Sequence, residues 1–251
     1  FKEDFATSRK TVVDEIKTKK YVEEKRIEDV LVLVNRLGYA KAMDVPTKKT
    51  DLKEIEKSYK HVLPTKSNDR LIAITNLGTL YQIKLKDVPK GKLRDKGVTI
   101  QALAGLKRSE YPVYITTRSS LEKETLLFVT KQGLTKQTKG EDLVSTRLKV
   151  IGTKLNKGDE LLFVGEVDSE DQRVLFQTKR GYVAQVKADV FSVMNKNAKG
   201  VTSLSLKEND QLESVYLLNK DEEKELSVNG KTIETRELPT SRRGVTGKLV
   251  K

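Results

Sequence analysis

The side chains able to do covalent or metal chemistry are few. His61 is the single histidine and there is no cysteine, so a catalytic triad or an imidazole-bound metal would have to be built around one ring. It reads as a surface or packing residue. Thiolate chemistry, disulfides and cysteine-bound zinc are excluded, and the composition suits a reducing compartment. Asp168, Glu170 and Asp171 could in principle hold Mg²⁺, but they read better as a polar loop between two strands. Eight tyrosines supply hydroxyls, yet Tyr39, Tyr81 and Tyr182 fall inside strand-like repeats and read as packing residues. No Walker-type phosphate cradle is present to hold ATP. No metal or cofactor is expected in this chain.

What the chain has in excess is positive charge. Lys and Arg number 49 against 36 Asp and Glu, a net charge of +13 with a pI near 9.6. That balance asks for a polyanionic partner, either nucleic acid or an anionic membrane surface. A membrane would call for a basic amphipathic helix or a long apolar span. The longest apolar runs, such as residues 30–34 and 126–129, are only four or five residues and are bounded by charge or turn residues. They are strands. Residues 1–20 are charged throughout and lack the apolar core of a signal peptide, so a cytoplasmic location is expected.

The cations must be carried by something, and the sequence supplies a repeat. A strand, a glycine-containing turn and a second strand recur in five copies, with turn glycines at Gly38, Gly78, Gly133, Gly181 and Gly230. The interval is roughly 40 to 55 residues, the range of propeller blades. Glycine closes such turns because the last loop residue commonly needs positive φ. Two further elements recur between hairpins. One is a cation before Gly-Val-Thr, at Lys96-Gly97-Val98-Thr99, Lys199-Gly200-Val201-Thr202 and Arg243-Gly244-Val245-Thr246. The other is a polar lead into a strand, at residues 156–161 and 208–212. A blade therefore holds more than a hairpin. With 36% hydrophobic, 6% aromatic and 34% charged residues, many small blade interfaces suit the composition better than one large core. The expected fold is all-β, a propeller-like ring of about five blades over residues 29–251. Residues 1–28 carry no repeat and are expected to form a separate lead-in segment.

The cations follow the repeat. Arg36, Lys131 and Lys179 stand two places before a turn glycine, and Lys41 and Lys136 three places after one. Arg180 adjoins Lys179. Lys92, Arg94, Lys96, Lys199, Arg242 and Arg243 flank the Gly-Val-Thr element, where a glycine would let a phosphate approach the backbone. Arg147 joins the set as a further candidate. Repeated around a ring, these charges would make a track for a phosphate backbone.

The whole chain resembles the C-terminal domain of the A subunit of bacterial type IIA topoisomerases, a β-pinwheel. The resemblance rests on the repeated hairpins and on two segments. Phe1-Lys2-Glu3-Asp4-Phe5-Ala6-Thr7-Ser8-Arg9-Lys10-Thr11 looks like the junction from the breakage-reunion core. Asp87-Val88-Pro89-Lys90-Gly91-Lys92-Leu93-Arg94-Asp95-Lys96-Gly97, followed by Ile100-Gln101-Ala102-Leu103, resembles a linker and strand peculiar to the family. The resemblance implies a non-catalytic module that binds and bends or wraps duplex DNA for an ATP-dependent type II enzyme. Its partners would be an ATPase subunit plus the rest of the A subunit, with ATP and Mg²⁺ bound elsewhere and the isolated domain monomeric. It also implies a bacterial, nucleoid-associated location and a role in chromosome segregation. None of the tyrosines sits in a sequence like the family's cleavage motif. Gyrase-type domains carry a Gln-Arg-Arg-Gly-Gly-Lys-Gly box between the first two hairpins, whereas residues 47–57 here contain no glycine. That departure makes the chain similar to the topoisomerase IV branch. Left open are a gyrase-type domain with chiral wrapping, a propeller docking an acidic protein, and a nuclease or ligase using Asp168, Glu170 and Asp171.

Overall fold

A computed structural model describes residues 26–250. The expected lead-in segment falls mostly on residues 1–25, which lie outside the described residues. In chain order the strands are β1 (Asp29–Val34), β2 (Tyr39–Asp44), β3 (His61–Lys66), β4 (Arg70–Thr75), β5 (Thr79–Lys84), β6 (Val98–Thr99) and β7 (Pro112–Thr117), then β8 (Thr125–Thr130), β9 (Leu134–Lys139), β10 (Lys149–Ile151) and β11 (Leu161–Glu166). There follow β12 (Arg173–Thr178), β13 (Tyr182–Lys187), β14 (Val201–Thr202), β15 (Leu212–Leu218), β16 (Glu225–Val228), β17 (Lys231–Glu234), β18 (Thr240–Ser241) and β19 (Lys248–Leu249). Helix α1 (Lys49–Ser58) lies between β2 and β3.

Each recurring hairpin is the centre of one small sheet. The orders are β3-β1-β2-β6, β10-β5-β4-β7, β11-β8-β9-β14 and β15-β12-β13-β18, with β19 also on β13; β16 and β17 pair alone. These are five blades, as expected. The short strands do something the linear repeat conceals. After completing the hairpin of one blade, the chain runs back to add β6, β10, β14 or β18 and β19 to the blade before. It then returns with β7, β11 or β15 to finish its own. Each blade is thus bonded to its predecessor through the backbone as well as through side chains.

The packing explains the run patterns. Val30, Val32 and Val34 meet Leu71 and Ala73 between blades 1 and 2. Ile72 and Ile74 meet Leu126 and Phe128 between blades 2 and 3, and Leu127 and Val129 meet Val174 and Phe176 between blades 3 and 4. A strand covered on both faces has no polar face to alternate with, so its sequence is continuously apolar. Blade 5 does alternate: Leu226, Val228 and Ile233 pack on blade 4, while Glu225, Ser227 and Thr232 are exposed. At the other end of the series, Leu31 and Leu33 of blade 1 are covered by Ile55 of α1, with Leu52, Tyr59, Met43 and Val62 against them. Both ends are therefore capped, one by a helix and one by a polar face, as the terminal units of repeat proteins must be.

Candidate nucleic-acid interface

Four connections lead from the second hairpin strand of one blade back to the preceding blade: residues 85–97, 140–148, 188–200 and 235–247. Each runs along the same edge of a sheet, the one formed by β2, β5, β9 or β13. Backbone bonds hold them there. Ala42 N–H donates to Pro89 O at 2.9 Å, Gln82 to Leu148 O at 2.8 Å and Gln137 to Ser192 O at 3.2 Å. β13 holds β18 by parallel pairing of Gln185 with Thr240.

Buried side chains on those strands complete the attachment. Gln82 Nε2 donates to the carbonyls of Ser145 and Arg147 at 2.8 and 2.7 Å. Gln137 Nε2 donates to Ala188 O at 2.8 Å, and Gln185 Nε2 to Thr240 Oγ1 at 3.2 Å. All three glutamines stand four places after a turn glycine. That spacing is visible in the sequence, but an argument that follows only charged positions passes over it.

The same attachment corrects the expected track. Lys41 and Lys136 are not surface cations: they are 2% and 1% exposed. Lys41 Nζ donates to the carbonyls of Lys92, Leu93 and Asp95 at 2.7, 2.5 and 2.8 Å. Lys136 Nζ donates to Asn195 O at 2.9 Å and lies over the Phe128 ring. Burial pushes the Lys136 ammonium down to about 8. Because side chains alternate along a strand, the residue three places after the turn glycine faces the preceding blade, as Lys136 does beside Phe128, or in blade 1 the capping helix α1, as Lys41 does beside Tyr59.

The Gly-Val-Thr element is corrected as well. A Cβ on Gly97 would lie 2.4 Å from Ala40 O, and one on Gly200 2.7 Å from Thr135 O. These glycines let β6 and β14 press against the preceding blade, so on the side a Cβ would take they meet backbone and not open solvent. In the last copy the equivalent residue is Gly247, whose Cβ would lie 2.7 Å from Val183 O. Lys248 pairs with Val183 as Val98 does with Ala40 and Val201 with Thr135. Arg243-Gly244-Val245-Thr246 sits three residues earlier, in the loop.

The connections nevertheless expose cations. Lys92, Arg94, Lys96, Arg147, Lys199, Arg242 and Arg243 are all exposed, and among the described residues none forms an ion pair with a carboxylate. Lys149, Lys196 and Lys248, which the spacing argument passed over, lie on the same edge. Lys149 stacks over Tyr81 at 4.8 Å and Lys96 over Tyr39 at 4.6 Å. Lys196 Nζ donates to Asp142 O at 3.0 Å.

Cations at the hairpin turns are in a different setting. Lys131 pairs with Glu160 at 2.9 Å, which raises the lysine and lowers the carboxyl from their ordinary values. Arg180 donates to Glu208 O at 3.1 Å, and its N–H donates to Asp210 Oδ1. Arg36 and Lys179 are exposed. The polar leads into β11 and β15 thus place acid beside the turn cations of blades 3 and 4, whereas on the connections only Lys90 and Arg236 pair with carboxylates among the described residues.

The residues weighed for chemistry are dispersed. His61 is half-buried on β3, and burial followed by the Lys60 charge lowers its pKa. Tyr81 donates its hydroxyl to Glu110 at 3.0 Å inside blade 2. Asp171 pairs with Lys220 at 3.1 Å. Among the described residues, no three His, Asp or Glu side chains come together as a metal site, and no helix is long and apolar enough to cross a membrane.

A serial β-propeller with one cationic edge is the class that fold and site define. The family model described as "DNA gyrase C-terminal domain, beta-propeller" matches residues 69–105, 124–168 and 172–219, and the chain belongs to that family. The gyrase A protein of Lawsonia intracellularis is 26% identical over 88% of this chain, and that of Helicobacter pylori (strain ATCC 700392 / 26695) 25% identical over 97%. The chain spans only 29% and 31% of those proteins' lengths. Among solved structures, the C-terminal domain of DNA topoisomerase IV matches with a TM-score of 0.77 at 22% identity, covering 90% of this chain and 73% of that one. The E. coli ParC C-terminal domain matches at 0.70 and 17% identity, over 89% and 94%. The DNA gyrase A C-terminal domain matches at 0.56 and 21%, over 88% and 76%. At these identities the likeness is one of fold.

Proposed function

We propose that this chain binds duplex DNA without sequence preference along its cationic edge and bends it, presenting the segment to the catalytic core of a type IIA topoisomerase. The observation that carries the reading is the recurrence of exposed, carboxylate-free cations on the returning connections of consecutive blades. A row of such charges neutralises phosphates and releases counterions, which supplies affinity with little sequence information. Bending a 20–30 bp site costs on the order of 1–6 kcal/mol, and phosphate contacts distributed over several blades offset that cost. The module itself is non-catalytic. Cleavage, ATP and Mg²⁺ belong to the ATPase subunit plus the remainder of the A subunit, in a bacterial cytoplasm at the nucleoid. The acidic Asp221, Glu222 and Glu223 before blade 5 favour a path over the connections returning to blades 1–4.

Topoisomerase IV is the preferred setting. Residues 47–57, where a gyrase-type box would fall, contain no glycine and enter α1, the helix that caps blade 1. Binding of the chain to a 40 bp duplex as a function of salt tests the reading, together with religation of nicked circles in its presence. With about eight phosphates neutralised, log K falls against log salt with a slope of about −7. A linking-number shift would move the assignment toward gyrase-type wrapping. No binding at about 50 mM salt would overturn the DNA reading and favour an acidic protein partner.

A further inference from the structure

The cations Lys92, Arg94 and Lys96 sit on a connection whose own backbone is held from beneath. The Leu93 carbonyl accepts from Lys41 Nζ at 2.5 Å and from Tyr59 Oη at 3.0 Å. Lys41 lies over the Tyr59 ring, 5.2 Å from its centroid, and Tyr59 is the C-terminal cap of α1. The same ammonium takes the carbonyls on either side, Lys92 and Asp95. Three carbonyls satisfy the three donors of an ammonium. Asp95 Oδ2 accepts from Lys92 N–H at 2.7 Å and tightens the turn from within. A buried charge with no carboxylate partner is costly unless fully hydrogen-bonded, so the ammonium holds the three carbonyls in one arrangement. That arrangement turns the Lys92, Arg94 and Lys96 side chains outward, where they are exposed.

We infer that Lys41 and Tyr59 are positioning residues for DNA binding: a clamp, reaching from β2 and α1, that preorganises the cationic connection between blades 2 and 1 without touching DNA. The inference rests on the DNA-binding reading above. Its logic is preorganisation: a loop already fixed in the binding geometry loses less conformational freedom when it meets phosphates. Helix α1 then has two tasks, covering the end of the blade series and supplying the hydroxyl half of the clamp.

The test measures duplex affinity against salt for the full chain, for Lys41→Met, for Tyr59→Phe, for the triple variant Lys92→Ala/Arg94→Ala/Lys96→Ala, and for the triple variant carrying Lys41→Met. Amide hydrogen exchange of residues 89–97 is followed in parallel. The triple variant lowers the salt slope by about 2.7. Lys41→Met weakens binding by about 5- to 10-fold, of the order expected for ordering one released loop, and accelerates exchange in 89–97. Tyr59→Phe, which removes only an oxygen, does the same to a smaller degree. In the triple background Lys41→Met changes affinity less than 2-fold, because its effect passes through the cations already removed. Equal loss in both backgrounds, or unchanged affinity and exchange in Lys41→Met and Tyr59→Phe, overturns the clamp. A triple variant that binds as the parent does overturns the DNA reading at this edge and the clamp's role in it, while exchange still reports whether the contact orders the loop.

Discussion

Replacement of Gly97 by alanine distinguishes two accounts of the Gly-Val-Thr element. Gly97 has φ +78° and its Cβ would stand 2.4 Å from Ala40 O; Gly244 has φ +83° and open space around it. Both variants incur the left-handed strain of an L-residue, about 1–2 kcal/mol. Only Gly97→Ala must also move β6 off β2. That costs the Tyr39–Thr99 and Ala40–Val98 pairing, about 1 kcal/mol for each hydrogen bond lost. Gly97→Ala is therefore expected to lower the unfolding free energy by about 3–4 kcal/mol and Gly244→Ala by about 1–2 kcal/mol. Urea denaturation of the two variants beside the parent reads the difference, and duplex binding well below the transition reads function. Equal, mild destabilisation of both, with a loss of DNA affinity confined to Gly97→Ala, would refute the packing account and restore glycine as a place for a phosphate to approach.

Arg94→Ala reduces the salt slope by about 0.9, whereas Lys131→Ala, whose charge is already met by Glu160, leaves slope and affinity near the parent's; titrations at three or more salt concentrations separate them. The Lys136 ammonium titrates at about 8, which NMR of its side-chain amine can read. The folded chain holds that proton more weakly than the unfolded one. Its contribution to stability therefore rises with pH from about 8 to the ordinary lysine value near 10.4, and Lys136→Met abolishes that part of the pH dependence. Ile55→Ala, which removes the fully buried contact between α1 and blade 1, costs about 2–5 kcal/mol and uncovers Leu31 and Leu33; thermal melting together with hydrogen exchange in β1 registers both effects.

The blades were legible because their signals are local. A turn glycine with positive φ and a run such as Leu71-Ile72-Ala73-Ile74, apolar at every position, reflect constraints within a dozen residues. The alternation in Leu226-Ser227-Val228 marks the end of the series in the same way. Positive charge was likewise legible as a property of the whole chain. Which cations are available was not. Lys41 and Arg36 lie on the same hairpin, yet one is buried under a loop more than fifty residues away and the other is exposed. The repeat spacing treated them alike because it counts positions along a strand and takes no account of what the returning chain lays across it. The register of the last returning strand was missed for the same reason. Gly244 and Gly247 offer the same backbone freedom, and only the pairing of Lys248 with Val183 selects between them. Sequence by itself determined the blades and the sign of the charge, since both follow from local sterics and composition. Tertiary structure alone decided which cations face solvent, because the strands returning from one blade to the one before it bury some and leave others exposed.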